Sequence, residues 1–180
     1  MKYVDRKMKF KTLAVQSGLD EREVCEKIIP ILECWGFFEA PASTKYHGAY
    51  EGGLFDHSYE VAKTLMELTE MLSLKWLNST SPFVVGMFHD LCKCGCYERD
   101  LDGKWIHVEQ TLPGHGDKSV MKAVTLVPLN DEEIHCIRWH MGAYEKDPAM
   151  WNIYGRAIET YPNVLWTHTA DMVASRIKGV

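Results

Sequence analysis

The sequence predicts an all-α fold, a compact helical bundle carrying one small β-hairpin near residues 97–110. Three observations predict it. Apolar residues recur at helical spacing through most of the chain. The run Phe83-Val84-Val85-Gly86-Met87-Phe88 is apolar all round, the pattern of a helix enclosed by others. Residues 97–110 break that periodicity with short runs on either side of Asp102-Gly103.

Taken in order, Asp20 with Glu23 forms a capping-box pattern before Val24, Ile28, Ile31, Leu32 and Trp35. Pro30 implies a kink in that helix and Gly36 a stop. Residues 37–55 contain Gly and Pro and read as a loop. A helix starts near Asp56, with Val61, Leu65, Leu68 and Leu72 as its apolar stripe. Ser81 then Pro82 is an N-cap and first-turn pair opening the apolar helix, which delivers His89 and Asp90 near its end. Helices resume near His115 and after Asn130, where Asp131-Glu132-Glu133 completes a capping arrangement, and a last one runs from about Asn163 to Lys178. The 180 residues suggest one compact unit, with residues 1–45 as a helical N-terminal extension to a main domain over 46–180.

The formal charge of −5 argues against a broad nucleic-acid-binding face, while leaving room for a local basic pocket. No apolar run approaches the ~18 residues that span a bilayer, so no membrane partner is expected. The charged start Met1-Lys2-Tyr3-Val4-Asp5-Arg6 leads into no apolar stretch, so a cytoplasmic location and reduced thiols are expected for Cys25, Cys34, Cys92, Cys94, Cys96 and Cys136.

Ionisable residues inside a bundle are costly unless paired or bound to metal. His89 and Asp90 follow six apolar residues, and neighbours on a helix point about 100° apart, so at least one faces inward. Alone, that doublet also fits a core histidine beside a helix-terminal acid. His57, His115, His140 and Asp171 each fall near a helix end or loop, and together the six can form a mixed nitrogen–oxygen metal site. Imidazole with carboxylate suits Fe, Mn, Zn, Co or Ni, whereas Ca and Mg prefer all-oxygen shells.

The order His57, His89-Asp90, His115, His140, Asp171, at spacings of about 25–32 residues, resembles the HD superfamily of metal-dependent phosphohydrolases. Its most specific parts are Gly52-Gly53-Leu54-Phe55-Asp56-His57-Ser58 and Phe88-His89-Asp90-Leu91-Cys92-Lys93, and it runs from about Tyr46 to Arg176. The resemblance implies two divalent transition-metal ions. One would be held by His57, His89, Asp90 and Asp171, with Asp90 bridging to a second held by His115 and His140. Within the superfamily, Tyr46-His47, the Gly-Gly-Leu segment and the hairpin before Gly114-His115-Gly116 look closest to the HD domain of bacterial 3′-to-5′ exoribonucleases. Cys92 departs from the small residue, commonly Gly, that precedes the lysine in that family.

The resemblance implies hydrolysis of a phosphoester with Asp90 and Lys93 in catalytic roles, Lys93 meeting a phosphate oxygen or the leaving group. His47, Arg138 and Arg176 are further substrate-binding candidates. The expected partner is a small phosphorylated substrate: a nucleotide, cyclic nucleotide or dinucleotide. Exonuclease-like action on short single strands and a non-catalytic nucleotide-binding module are the alternatives. Residues 1–45 are too few for an OB-fold, which speaks against extended nucleic acid.

Cys92-x-Cys94-x-Cys96 lacks the spacing and the second pair of a structural zinc site and reads as incidental thiols. His107 reads as structural or exposed, His135 as lying on a solvated face, and His168 as a neighbour of Asp171 one turn away. The six tryptophans read as core.

Overall fold

The computed structural model describes residues 3–112, 114–144 and 147–180. It is an all-α bundle with one two-stranded hairpin. Helix α1 (Tyr3–Gln16) is followed by α2 (Glu21–Glu23), a π-helical turn (Val24–Ile28) and α3 (Ile29–Cys34). Asp20 caps α2, its carboxylate accepting from the Glu23 N–H at 2.8 Å. The π turn falls directly before Pro30, which cannot donate to the residue four back, so the widened turn absorbs the missing bond as the expected kink. Gly36 ends α3 at φ 72°, with the Phe37 N–H returning to the Leu32 carbonyl at 3.0 Å.

Helix α4 (Gly53–Leu72) packs along α5 (Ser81–Phe88) at the centre of the bundle. A 3₁₀ turn (Leu91–Lys93) leads to β1 (Tyr97–Arg99) and β2 (Trp105–His107), antiparallel with Tyr97 opposite His107. Then come α6 (His115–Leu126), α7 (Asp131–Arg138), a 3₁₀ turn (Gly142–Tyr144), α8 (Pro148–Thr160), α9 (Asn163–Met172) and a π turn (Val173–Lys178). Among the described residues no helix is long and apolar enough to cross a membrane.

Every residue of α5 is buried, as its apolar run requires. All six phenylalanines are fully enclosed, and they stitch α1, the turn after α3, α4 and α5 together. Phe10 meets Phe38 edge-to-face at 6.0 Å and Phe37 meets Phe55 at 6.0 Å. Such pairs add about 1 kcal/mol each beyond their buried area. Arg6 of α1 is buried as well. Its guanidinium donates to the carbonyls of Phe38 and Glu51 and pairs with Asp56, which fastens the loop ahead of α4 to α1.

Several local expectations need correction. Helix α4 begins at Gly53, three residues before Asp56, because Gly52 turns the chain at φ 78° and its carbonyl accepts from the Asp56 N–H. Its stripe is wrong at one end: Leu72 is exposed, and the buried face is Leu54, Phe55, His57, Ser58, Val61, Ala62 and Leu65. Trp151 is 53% exposed on α8 and so is not core.

Ser81 does not cap α5. Its hydroxyl instead donates at 2.8 Å to the buried carboxylate of Glu133, which also closes the expected capping box with Asn130. Glu132 beside it accepts from the Leu77 N–H and the Asn163 amide, so two buried acids tie the starts of α5, α7 and α9. Ser81→Ala is expected to destabilise the protein by about 2 kcal/mol, because it leaves a buried acceptor unsatisfied. Urea denaturation of the variant checks this, and an unchanged midpoint would show that the hydroxyl does not hold Glu133.

Candidate metal centre

The bundle gathers the six residues from five places. His57 lies on the first turns of α4, and His89-Asp90 follows the last residue of α5. His115 opens α6, His140 follows α7, and Asp171 sits near the end of α9. Gly116 lets α6 start this close to α7, since a Cβ there would stand 2.0 Å from the Arg138 carbonyl oxygen.

The Asp90 carboxylate is the hub, and its two oxygens face different pairs of histidines. Oδ2 is 3.6 Å from His57 Nε2 and 3.5 Å from His89 Nε2. Oδ1 is 2.8 Å from His115 Nε2 and 3.5 Å from His140 Nε2. Asp171 Oδ1 lies 3.3 Å from His57 Nε2, on the first side. His57, His89 and Asp171 converge closely enough to share one ion, as do His89, Asp90 and His140, and Asp90, Cys92 and His115.

Outward contacts orient these rings. Nδ1 of His89 faces the Gly86 carbonyl at 2.8 Å, Nδ1 of His140 the Ile137 carbonyl at 2.7 Å, and Nδ1 of His57 the Val180 main-chain oxygen at 3.0 Å. Donation through Nδ1–H leaves the Nε2 lone pairs pointing inward, the tautomer a metal ligand needs. Among the described residues, His140 Nε2 is buried and has no hydrogen-bond partner. A buried, orphaned imidazole nitrogen beside a carboxylate is costly in a pure scaffold, and a cation there would satisfy it. The donor set therefore fits the divalent ions expected from the sequence, with no need of an all-oxygen shell.

The electrostatics keep the acids charged. Burial alone would lift Asp90, but the Lys93 ammonium and His89 outweigh it and hold the carboxyl well below its usual range. Burial likewise works against Asp171, and His57 and His89 keep its carboxyl low. Lys93 Nζ sits 2.7 Å from Asp90 Oδ2. Burial opposes its charge, and that carboxylate keeps it an ammonium. Burial lowers His115, against the pull of Asp90.

A cavity of about 240 Å³ opens over this cluster. Its walls include His47, Asp90, Lys93, His115, Asp171 and Arg176. Of the substrate-binding candidates, His47, Lys93 and Arg176 thus share the cavity. His47 hangs from the loop ahead of α4, its ring 5.0 Å from that of His57. Burial, with His57 and Lys93 nearby, lowers it to about 4, so it is a neutral ring near pH 7. Arg138 is elsewhere: it pairs with Asp117 and lies over the Trp139 ring, outside the cavity lining.

Three further residues belong to the arrangement. His168 Nδ1 reaches the His140 carbonyl at 2.9 Å, steadying that turn. Ser175 of the cavity wall falls one turn past Asp171, a helical spacing visible in the sequence. Cys92 Sγ stands 3.1 Å from His115 Nδ1, which nothing in the Cys-x-Cys-x-Cys spacing signalled. The remaining thiols of that run are buried, Cys96 donating to the Cys92 carbonyl.

Fold and site together define a class: an α-helical domain whose centre is a histidine–aspartate cluster able to hold cations. Over 74 residues the chain is 32% identical to the dihydroneopterin 2′,3′-cyclic phosphate phosphodiesterase of Methanocaldococcus jannaschii, a match spanning 39% of this chain and 30% of the relative. No family model matches the chain, and no solved structure matches it.

Proposed function

We propose that this protein is a metal-dependent phosphodiesterase of the HD type, acting on a small cyclic phosphodiester of a nucleotide or nucleotide-like compound. The division of the Asp90 oxygens between His57 with His89 and His115 with His140 carries the reading, because it is the arrangement of a carboxylate that bridges two cations. The similarity to a phosphodiesterase supports the reaction class, and the cyclic phosphate in that relative's name supports the substrate class. The small cavity favours a compact substrate over an extended strand.

In this reading His57, His89, Asp171 and Asp90 would hold one cation, and Asp90, His115 and His140 would hold the other. Bound divalent cations supply nucleophile activation and neutralise charge on the phosphoryl oxygens. Asp90 would be shared by the two, and the Lys93 ammonium, 2.7 Å from its Oδ2, fixes the carboxylate. Arg176, across the cavity, offers a permanent cation to a non-bridging phosphate oxygen. His47, being neutral, serves as a hydrogen-bond partner rather than a counter-charge. Hydrolysis adds water across phosphorus: one P–O bond forms, one ring P–O bond breaks, and the freed ester oxygen takes a proton.

The test is protein loaded with Mn²⁺, Fe²⁺ or Zn²⁺ and assayed against 2′,3′-cyclic nucleotides, dihydroneopterin 2′,3′-cyclic phosphate and short single strands. The expected result is conversion of a cyclic phosphate to its monoester, stopped by chelator and restored by metal. A fully metal-loaded protein that cleaves none of the panel would overturn the enzymatic reading in favour of a binding module.

A further inference from the structure

We propose that Tyr46 is the platform for a planar aromatic ring of the substrate, lying beyond the cyclic phosphate, so that the site selects nucleotides and nucleotide-like compounds over ring-free phosphodiesters. The inference rests on the cyclic-phosphodiester reading above and adds to it the residue that recognises the organic part.

The cavity over the histidine–aspartate cluster is too small to hold such a substrate entire. At about 240 Å³ it falls below the roughly 300–1,000 Å³ of most ligand pockets. A second cavity of about 360 Å³ adjoins it, lined by Tyr46, His47, Ser175 and Arg176. His47, Ser175 and Arg176 line both spaces and so form the passage between them. Asp90, Lys93, His115 and Asp171 line only the first, which makes that end the place for the phosphate and the second the place for what it carries.

Tyr46 is the residue that the second cavity adds. Its side chain is 78% exposed, yet its backbone is held. Ser43 Oγ accepts the Tyr46 N–H at 2.8 Å and donates to the His47 carbonyl at 3.0 Å. The Ala42 N–H closes the same loop on the Gly48 carbonyl at 2.9 Å. A ring carried on a closed loop loses little freedom when a ligand settles on it. Among the described residues no other ring or cation stacks on Tyr46, whereas Tyr144 of the first cavity already meets the His168 ring edge-on at 6.3 Å. Beside Tyr46, the Arg176 guanidinium is exposed and, among the described residues, unpaired. A phenol face and a guanidinium plane both favour a flat π system, and every nucleobase presents one. The Ser175 hydroxyl donates to the Asp171 carbonyl, so this wall offers stacking and charge in place of a hydrogen-bond code. Purine, pyrimidine and pterin rings should therefore all be accepted.

Steady-state kinetics of the metal-loaded protein on 2′,3′-cyclic AMP and on glycerol 1,2-cyclic phosphate, which carries no ring, test this. Tyr46→Ala is expected to raise KM for the nucleotide about tenfold with kcat little changed, and to leave the glycerol ester within about twofold. Tyr46→Phe should behave as the wild type. A second readout does not depend on turnover. The fluorescence of 2-aminopurine riboside 3′-monophosphate should be quenched on binding to the wild type and to Tyr46→Phe, and not on binding to Tyr46→Ala. Ring preference and quenching that survive Tyr46→Ala, or that vanish in Tyr144→Ala instead, overturn the inference and leave the phosphodiesterase reading standing. Absence of quenching in the wild type overturns it as well. If neither ester is hydrolysed but quenching depends on Tyr46, the ring site stands and the catalytic reading falls.

Discussion

Asp90→Asn is expected to lower phosphodiester hydrolysis at least about a thousandfold, a larger effect than removal of any other side chain of the centre. The amide keeps the shape of the carboxylate and loses its charge, so neither side retains the anion that both share. On the two-cation reading proposed above, bound cations should fall from about two per chain towards none, because the remaining histidines carry no formal negative charge and Asp171 serves one side only. In the cation-free protein the same change strips Lys93 of its partner at 2.7 Å, at a cost of about 3 kcal/mol. Three measurements on one preparation check this: kcat/KM against the cyclic phosphate, metal content, and the circular dichroism that verifies the fold. A variant that keeps activity within tenfold would sink the bridging role.

The second large effect is on packing. Gly86→Ala is expected to destabilise the fold by about 3 kcal/mol and to weaken cation binding together with it. A Cβ at Gly86 would stand 2.4 Å from the Cα of Ala62, so α4 and α5 touch backbone to backbone at this point. The clash is with main chain and cannot be relieved by a rotamer. The helices must separate, and they carry His57 and His89, whose Nε2 atoms are 3.3 Å apart, together with the Gly86 carbonyl that orients His89. Gly155→Ala on α8 is the matched control. Among the described residues nothing lies within 4 Å of its added Cβ, and it should stabilise by about 0.5 kcal/mol. Denaturation midpoints of the two variants should move in opposite directions. Equal shifts would show that the close approach of α4 and α5 is not what Gly86 serves.

Much of the local architecture was legible because local chemistry decides it. The Asp20–Glu23 and Asn130–Glu133 caps, the stop at Gly36 and the kink before Pro30 all follow from donors and acceptors a few residues apart. The enclosure of α5 follows from eight residues with no polar face to turn outward. Ser81 carries the right chemistry for a cap, yet a buried Glu133 from α7 competes for its hydroxyl and wins. Helix α8 escaped notice although Asp147 ahead of Pro148 is a sound starting signal, and Asp147 does cap the Ala149 N–H.

The sequence by itself determined which residue types were available for a centre and in what order: four histidines and two aspartates, each near a helix end or loop. Only the tertiary structure decided how they divide. That the Asp90 oxygens face separate histidine pairs depends on how α4, α5, α6 and α7 pack, and no spacing along the chain encodes it. The same holds for Arg6, which reaches from α1 to the loop before α4, and for Arg138, which turns to Asp117 instead of the cavity. It holds most clearly for Cys92. Along the chain it is one of three closely spaced thiols, and only the packing of the turn after α5 against α6 brings its sulfur beside His115.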